Sequence, residues 1–517
     1  MSGDGGRRRG VRIVRWCVQI AFLAFFVLLT FRAAYPPMAV PPANLFLRMD
    51  PLAGLIALTG ARSLSAFVAF WPAWVLLGLT ALSGHRFFCG WICPLGTCFD
   101  VVGVCKPRSM EYYRPGGREI RARKAEAASG PVRRKVRVKY LLLGLVIILS
   151  LAGINLLYFA SPFVVANRAV YYVLLPQVPW FLIAFVLVAV AYRPRFWCED
   201  LCPAGALFSL VSKVGKRLSE RVSPLSVVKD PAACVSCGAC YRDCDFALDE
   251  PFLKGDAGRL RSADCVACGD CVASCPSPGA LELKSVGEPL YVSGRGKPAR
   301  VPRPGHEPSP DAAPGKGLTV TRREFIGSAG LGAVLLAGYG VGLKGISEPP
   351  LRMPGAQDES RFIAACNRCE ECVRACPAGC LVPMGLEGGL QKLWTPRFVP
   401  RTAGCIYEQC DQACRRVCPA GAIEEQAPDR VAIGLAHVDT KRCLGHKGRQ
   451  CLVCQERCRF NAIDADGLVP VVVPAKCTGC GACEETCPTQ PSSIRVFPDG
   501  FQPVWPEGGS GQRRRGD

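Results

Sequence analysis

A chain that contains Cys265-Val-Ala-Cys268-Gly-Asp-Cys271-Val-Ala-Ser-Cys275-Pro276 has few ways to fold. The run reads C-x2-C-x2-C-x3-C-P. Three thiolates at that spacing wrap one iron–sulfur cube, and the fourth reaches a second cube in two-cluster ferredoxins. Related groups bring the number to six. They are Cys234, Cys237, Cys240 and Cys244; Cys265, Cys268, Cys271 and Cys275; Cys366, Cys369, Cys372 and Cys376; Cys405, Cys410, Cys414 and Cys418; Cys443, Cys451, Cys454 and Cys458; and Cys477, Cys480, Cys483 and Cys487. These groups use 24 of the 32 cysteines. Zinc also takes C-x2-C pairs but joins two separated ones, and disulfide scaffolds are short secreted chains. Six 4Fe-4S clusters are the expectation. No C-x-x-C-H occurs, so c-type haem attachment is not expected.

The clusters need a setting, and here composition matters. At 517 residues the chain is too long for one core. Half of its residues are hydrophobic and the mean hydropathy is +0.20, which points to membrane segments. The net charge of +21 could mark a nucleic-acid binder. The pattern of apolar runs favours the positive-inside rule instead, so no nucleic acid is expected as a partner.

Residues 1–222 read as a four-helix membrane domain. Arg7, Arg8, Arg9, Arg12 and Arg15 precede the uncharged run Trp16–Phe31, a retained helix rather than a cleaved signal, since Tyr35-Pro36-Pro37 offers no small-residue cleavage site. Pro51–Ala61 is too short to span and is expected at the interface. Ser63–Gly84 is the second span, kinked at Trp71-Pro72. Tyr140–Phe159 is the third and about Val178–Tyr192 the fourth. Between the second and third spans, Lys106–Lys139 holds 12 Lys and Arg against 3 Glu. That charge places both ends of this unit in the cytoplasm.

Two further motifs follow the second and fourth spans: Cys89-Gly-Trp-Ile-Cys93-Pro94 and Cys198-Glu-Asp-Leu-Cys202-Pro203. One helical turn would bring each pair to one face, and two half-sites supply four thiolates. Cys89, Cys93, Cys198 and Cys202 are therefore candidates for one more cluster or a redox-active thiol set at the membrane face. Inert or palmitoylated juxtamembrane cysteines are the plainer alternative. His85 and Arg86 are candidates for contact with a quinone headgroup, against a bland role as interfacial anchors.

Residues 223–286 form the expected two-cluster ferredoxin domain, with exchanged fourth ligands: Cys234, Cys237, Cys240 and Cys275 on one cluster, Cys265, Cys268, Cys271 and Cys244 on the other. Residues 287–320 are a linker rich in Pro, Gly and charge, with His306 solvated. Thr321-Arg322-Arg323-Glu324-Phe325 opens residues 321–346, a twin-arginine-like segment able to cross as a fifth span. Residues 347–505 are a four-cluster module, followed by a tail, 506–517. In this module the groups at Cys405–Cys418 and Cys443–Cys458 are stretched, and group order alone does not say which groups exchange ligands. Short strands and single-turn helices are expected, held by metal rather than by a large apolar core. Cys380 and Cys17 fit no motif and are read as non-ligands, Cys98 and Cys105 are ambiguous, and His437 and His446 are read as structural or solvated.

The fold class is thus an α-helical membrane unit of four spans, an α+β two-cluster ferredoxin unit, a fifth span and a polyferredoxin module. Residues 10–285, through the two C-x3-C-P motifs and two ferredoxin runs, resemble the NapH-type membrane ferredoxin family. Residues 318–505, through the paired arginines and four cluster groups, are similar to the NapG/MauM-type exported ferredoxins. That resemblance implies a quinol dehydrogenase component in a bacterial inner membrane. Its N-terminal half would face the cytoplasm, and its last module would feed a periplasmic reductase or c-type cytochrome. A redox assembly or regulatory polyferredoxin, or flow in reverse to a cytoplasmic ferredoxin, are the rival readings.

Overall fold

The computed structural model describes residues 4–36, 42–60, 64–105, 136–151, 153–155, 161–174, 183–184, 186–188, 195–218, 225–234, 240, 244, 246, 260, 263–285, 288–293, 319–320, 349–389 and 391–499. The twin-arginine-like segment, the C-terminal tail, Cys237, most of the expected linker and most of the expected fourth span lie outside these residues. The start of the expected linker is corrected: Glu288–Val292 is a strand, because it pairs with Leu281–Ser285 and extends the ferredoxin part past residue 286. The chain divides into two compact units. One comprises Met1–Phe31 and Pro41–Tyr339, the other Arg32–Val40 and Gly340–Asp517.

The first unit begins with the helix Asp4–Phe31. Its segment Ile13–Phe31 is, among the described residues, the one helix long and apolar enough to cross a membrane. Trp71–Ser83 and Val138–Leu151 are apolar but shorter. The second expected span breaks where the sequence predicts: Leu64–Ala69 ends before Phe70, and Trp71–Ser83 restarts with Pro72 in its first turn. Proline is tolerated there because its missing N–H would have no helical partner anyway.

Pro51–Gly60 departs from expectation. It is a core helix, not an interfacial one. Leu52, Ala53, Ile56 and Ala57 are buried against Phe70, Ala73, Leu143 and Val146, because a short helix that is apolar on all sides has no polar face to offer a boundary. Asp50 caps it, accepting hydrogen bonds from Leu52 N at 2.9 Å and Ala53 N at 3.3 Å.

Helix Pro203–Leu218 lies along Trp71–Ser83. The two backbones approach so closely that a Cβ on Gly215 would sit 2.0 Å from the carbonyl oxygen of Ala81. Small residues permit such contact between apolar helices. Gly215→Ala should therefore destabilise this unit by about 1–3 kcal/mol, the usual result of overpacking. Thermal unfolding of the detergent-solubilised protein measures it.

The ferredoxin part of this unit is a three-stranded antiparallel sheet of Leu225–Lys229, Leu281–Ser285 and Glu288–Val292, with the middle segment central. Val227, Leu260, Val272, Leu281, Leu283 and Tyr291 form its small core together with Cys271.

The second unit is built from helices of four to seven residues, such as Glu371–Arg374 and Glu359–Ala365, and from two-stranded antiparallel ribbons. Leu381–Pro383 pairs with Pro396–Phe398, so the end of the first cysteine group returns to the start of the second. Leu435–Val438 pairs with Ile494–Phe497, which brackets the third and fourth groups. Ile463–Asp466 and Val469–Val472 form a hairpin between those two.

Candidate iron–sulfur sites

Five cavities of about 330–430 Å³ are lined by thiols. In the first unit one cavity gathers Cys265, Cys268 and Cys271 with Cys244. Cys240 and Cys275 pack on the same core. In the second unit Cys366, Cys369 and Cys372 meet Cys418, and Cys405, Cys410 and Cys414 meet Cys376. Cys443, Cys451 and Cys454 meet Cys487, and Cys477, Cys480 and Cys483 meet Cys458. The first group thus exchanges its last cysteine with the second, and the third with the fourth. The stretched groups still close: the extra residues coil into the turns Tyr407–Cys410 and Gly445–Lys447 and return the thiols to their cavities.

Residues in left-handed conformation shape these loops. Ala267, Arg368, Glu370, Asp411 and Gln412 all have positive φ, a costly conformation that turns successive peptide N–H groups toward a concave, anion-binding face. Ala267 N and Arg368 N point at the sulfurs of Cys265 and Cys366 at 3.4 Å, and Ala462 N at that of Cys458 at 3.2 Å.

The donor set suits a multi-iron cluster. Burial first, and then neighbouring thiols, push Cys271, Cys372 and Cys483 well above the ordinary thiol value. Four such thiols ionise together only if a cation takes up their charge. Among the described residues no group of three or more His, Cys, Asp or Glu is arranged to hold a single metal ion. The thiols surround a volume instead. Cys380, read as a non-ligand, is a fifth cysteine in the lining of the Cys405 cavity, and the Cys380 thiol holds Cys376 down to about 6.

At the two C-x3-C-P motifs neither cysteine pair lies on one helical turn. Cys89 lies in the helix Phe87–Trp91 and Cys93 follows it; Cys198 lies in the π-turn Trp197–Leu201 and Cys202 follows that. Cys93, Cys198 and Cys202 are buried. Burial pushes the Cys93 thiol well above its ordinary value, and the nearby Cys198 and Cys89 push it further.

Their flanks repeat as well, a signal that cysteine spacing alone overlooks: Arg86-Phe-Phe-Cys89 and Arg195-Phe-Trp-Cys198. Each arginine crosses to the opposite half-site. Arg86 Nη1 donates to Cys198 O at 3.5 Å and to Gly205 O at 3.2 Å, and Arg195 Nη1 donates to Cys89 O at 2.8 Å. Both guanidinium groups lie over the ring of Phe246, at 5.2 and 5.3 Å.

The ferredoxin part docks onto this set. Arg86 N donates to Cys265 O at 2.9 Å, and Arg86 Nη2 to Asp264 O at 3.0 Å. Trp91 Nε1 donates to Val266 O at 3.2 Å, and a Cβ on Gly90 would meet Val266 Cβ at 2.8 Å. Asp264 is bonded to Arg86, Arg137, Lys139 and Ser209. Arg15 joins the first helix to Asp100 at 2.5 Å and to Asp270 at 2.8 Å.

His85 and Arg86 are both buried. Burial raises the Cys265 thiol, but His85, which hydrogen-bonds it, and Lys216 bring it down to about 7. The structure thus turns both quinone candidates toward the ferredoxin part. Of the other histidines, His437 packs edge-on against Phe497.

Known proteins share these features. The 4Fe-4S dicluster domain family matches residues 233–281. Families described as 4Fe-4S binding domains match residues 65–109 and 176–221, which contain the two half-sites, and residues 470–491. The methylamine utilization ferredoxin-type protein MauM of Paracoccus denitrificans is 36% identical over 220 residues, covering 38% of this chain and 94% of that protein. The ferredoxin-type protein NapG of Escherichia coli is 38% identical over 165 residues, 29% of this chain and 70% of that protein. The methylamine utilization ferredoxin-type protein MauN of Methylorubrum extorquens is 31% identical over 242 residues, 44% of this chain and 71% of that protein. No solved structure matches. With nearly the whole length of a MauM protein and over two thirds of NapG matched, and with thiol-lined cavities in place, the chain belongs to the MauM/NapG family of ferredoxin-type proteins.

Proposed function

We propose that this chain is a membrane-bound electron conduit that oxidises quinol and passes the electrons to a periplasmic partner, a reductase or a c-type cytochrome. When bound, 4Fe-4S clusters supply one-electron acceptors at each thiol cavity. The observation that carries the reading is the way the cavities connect. Cys376 and Cys418 are exchanged between neighbouring cavities, and so are Cys458 and Cys487. Cys405 N donates to Cys480 O at 2.7 Å, joining the two pairs. The second unit therefore reads as one line of four sites, running from the Cys366 cavity through those of Cys405 and Cys480 to that of Cys443.

In the first unit Cys89, Cys93, Cys198 and Cys202 would hold a further cluster. Arg86 and Arg195 offset its charge, and Arg86 touches the backbone of both Cys198 and Cys265. The match of both half-sites to 4Fe-4S binding domains supports this assignment. Fusion of a NapH-type membrane part to a NapG/MauM-type part, with the first in the bacterial inner membrane and the second in the periplasm, gives the line a donor on one side and an acceptor on the other.

The test is anaerobic. Adding a menaquinol analogue to the oxidised, purified protein should bleach its cluster absorbance, and a reporter fused after residue 505 should be active only in the periplasm. Absence of bleaching with every quinol tried would sink quinol oxidation. A cytoplasmic reporter would favour an assembly or regulatory role.

A further inference from the structure

The cavity of Cys405, Cys410 and Cys414 holds one cysteine more than a cube needs. Cys376 and Cys380 both line it, their sulfurs 3.5 Å apart. Cys380 is 1% exposed, and Cys405 lines the same cavity. Its backbone is fixed independently of the thiol: Val399 N donates to Cys380 O at 2.9 Å, and Gly379 N closes the turn on Cys376 O at 3.1 Å.

The chain carries its own control. Cys376-Pro-Ala-Gly-Cys380 and Cys418-Pro-Ala-Gly-Ala422 are the same turn, with Gly379 at φ +66° and Gly421 at φ +61°. Where one turn presents a thiol to its cavity, the other presents the methyl group of Ala422. Ala462, four residues after Cys458, likewise lines its cavity. An alanine is therefore compatible with this position, and the thiol is an addition to a shared design.

We propose that Cys380 is not a ligand but a resident hydrogen-bond donor, aimed at the ligand sulfur of Cys376, which raises the reduction potential of this one cluster above that of its neighbours. The inference rests on the cavities holding 4Fe-4S clusters. Reduction adds negative charge that spreads onto the ligand sulfurs, and an S–H directed at one of them stabilises the reduced form more than the oxidised one. The site lies inside the line of four, so its potential decides whether electrons pause there or pass through.

The test is a redox titration of the full-length protein under anaerobic conditions, followed by electron paramagnetic resonance, for the wild type, Cys380→Ala and Cys380→Ser. Cys380→Ala should keep the wild-type iron content and move one midpoint negative by roughly a tenfold shift in its one-electron equilibrium, about 59 mV. Cys380→Ser keeps a hydroxyl donor and should return that midpoint toward the wild-type value. The proposal is overturned if Cys380→Ala leaves every midpoint in place, if both variants shift alike, or if Cys380→Ala loses a cluster, which would make Cys380 a ligand. Wild-type protein without iron would overturn the cluster reading along with it.

Discussion

Replacing Cys418 with alanine should remove iron from the cavity of Cys366, Cys369 and Cys372 and leave the cavity of its own sequence neighbours, Cys405, Cys410 and Cys414, filled. Cys418 lines the first cavity, and Cys376 completes the second. Iron content should fall by about four per chain, the content of one cube. Alkylation of the anaerobic protein, followed by peptide mapping, identifies the thiols set free. Newly labelled Cys366, Cys369 and Cys372 support the exchange. Newly labelled Cys405, Cys410 and Cys414 would show that each group serves itself. Cys376→Ala should give the mirror result. Because metal binding is folding free energy in such modules, Cys418→Ala should also loosen the loop around Arg368 and Glu370, whose backbone is left-handed.

Asp264→Ala should cost about 3–5 kcal/mol, the usual penalty for breaking a buried ion pair by removing one partner. The Asp264 side chain is 8% exposed, and the Arg86 and Lys139 side chains are fully buried. Burial alone would raise its carboxyl, but Arg86, Lys139 and Arg137 hold it far below the ordinary value. Without it, two buried cations lose their counter-charge, and with it goes the link from Lys139, at the start of the helix Val138–Leu151, and Ser209 to the loop before Cys265. The ferredoxin part should then become sensitive to protease and melt separately from the helical part of the same unit. Lys139→Met should cost less, since Arg86 and Arg137 still compensate the carboxylate. A single melting transition in Asp264→Ala, at the wild-type temperature, would show that the network does not hold the two parts together.

Spacing along the chain carried the local chemistry. Three thiols two or three residues apart have a short covalent tether, so Cys265, Cys268 and Cys271 line one cavity however the rest of the chain is arranged. The break at Trp71-Pro72 and the four-residue helices of the second unit were legible for the same reason, since proline geometry and tight ligand loops act within a few residues. The paired-arginine segment belongs to the same local reading and falls outside the described residues, as does most of the linker, whose first residues Glu288–Val292 instead form a strand.

What depended on distant packing was not legible. The pairing of the first group with the second followed from the ribbon of Leu381–Pro383 with Pro396–Phe398, and Cys380 reached its cavity only because that ribbon holds its backbone there. Pro51–Gly60 became core rather than interface once other apolar helices covered it. Arg86, its repeat Arg195 and Asp264 owe their roles to an ion network closed across more than a hundred residues of chain, as with Arg86 and Cys198. Which three sulfurs share a cavity was written into the spacing of the chain, because bonds along the backbone set that geometry. Which distant sulfur comes fourth, and which charges sit beside it, followed from packing, because those neighbours are chosen by burial and not by position in the chain.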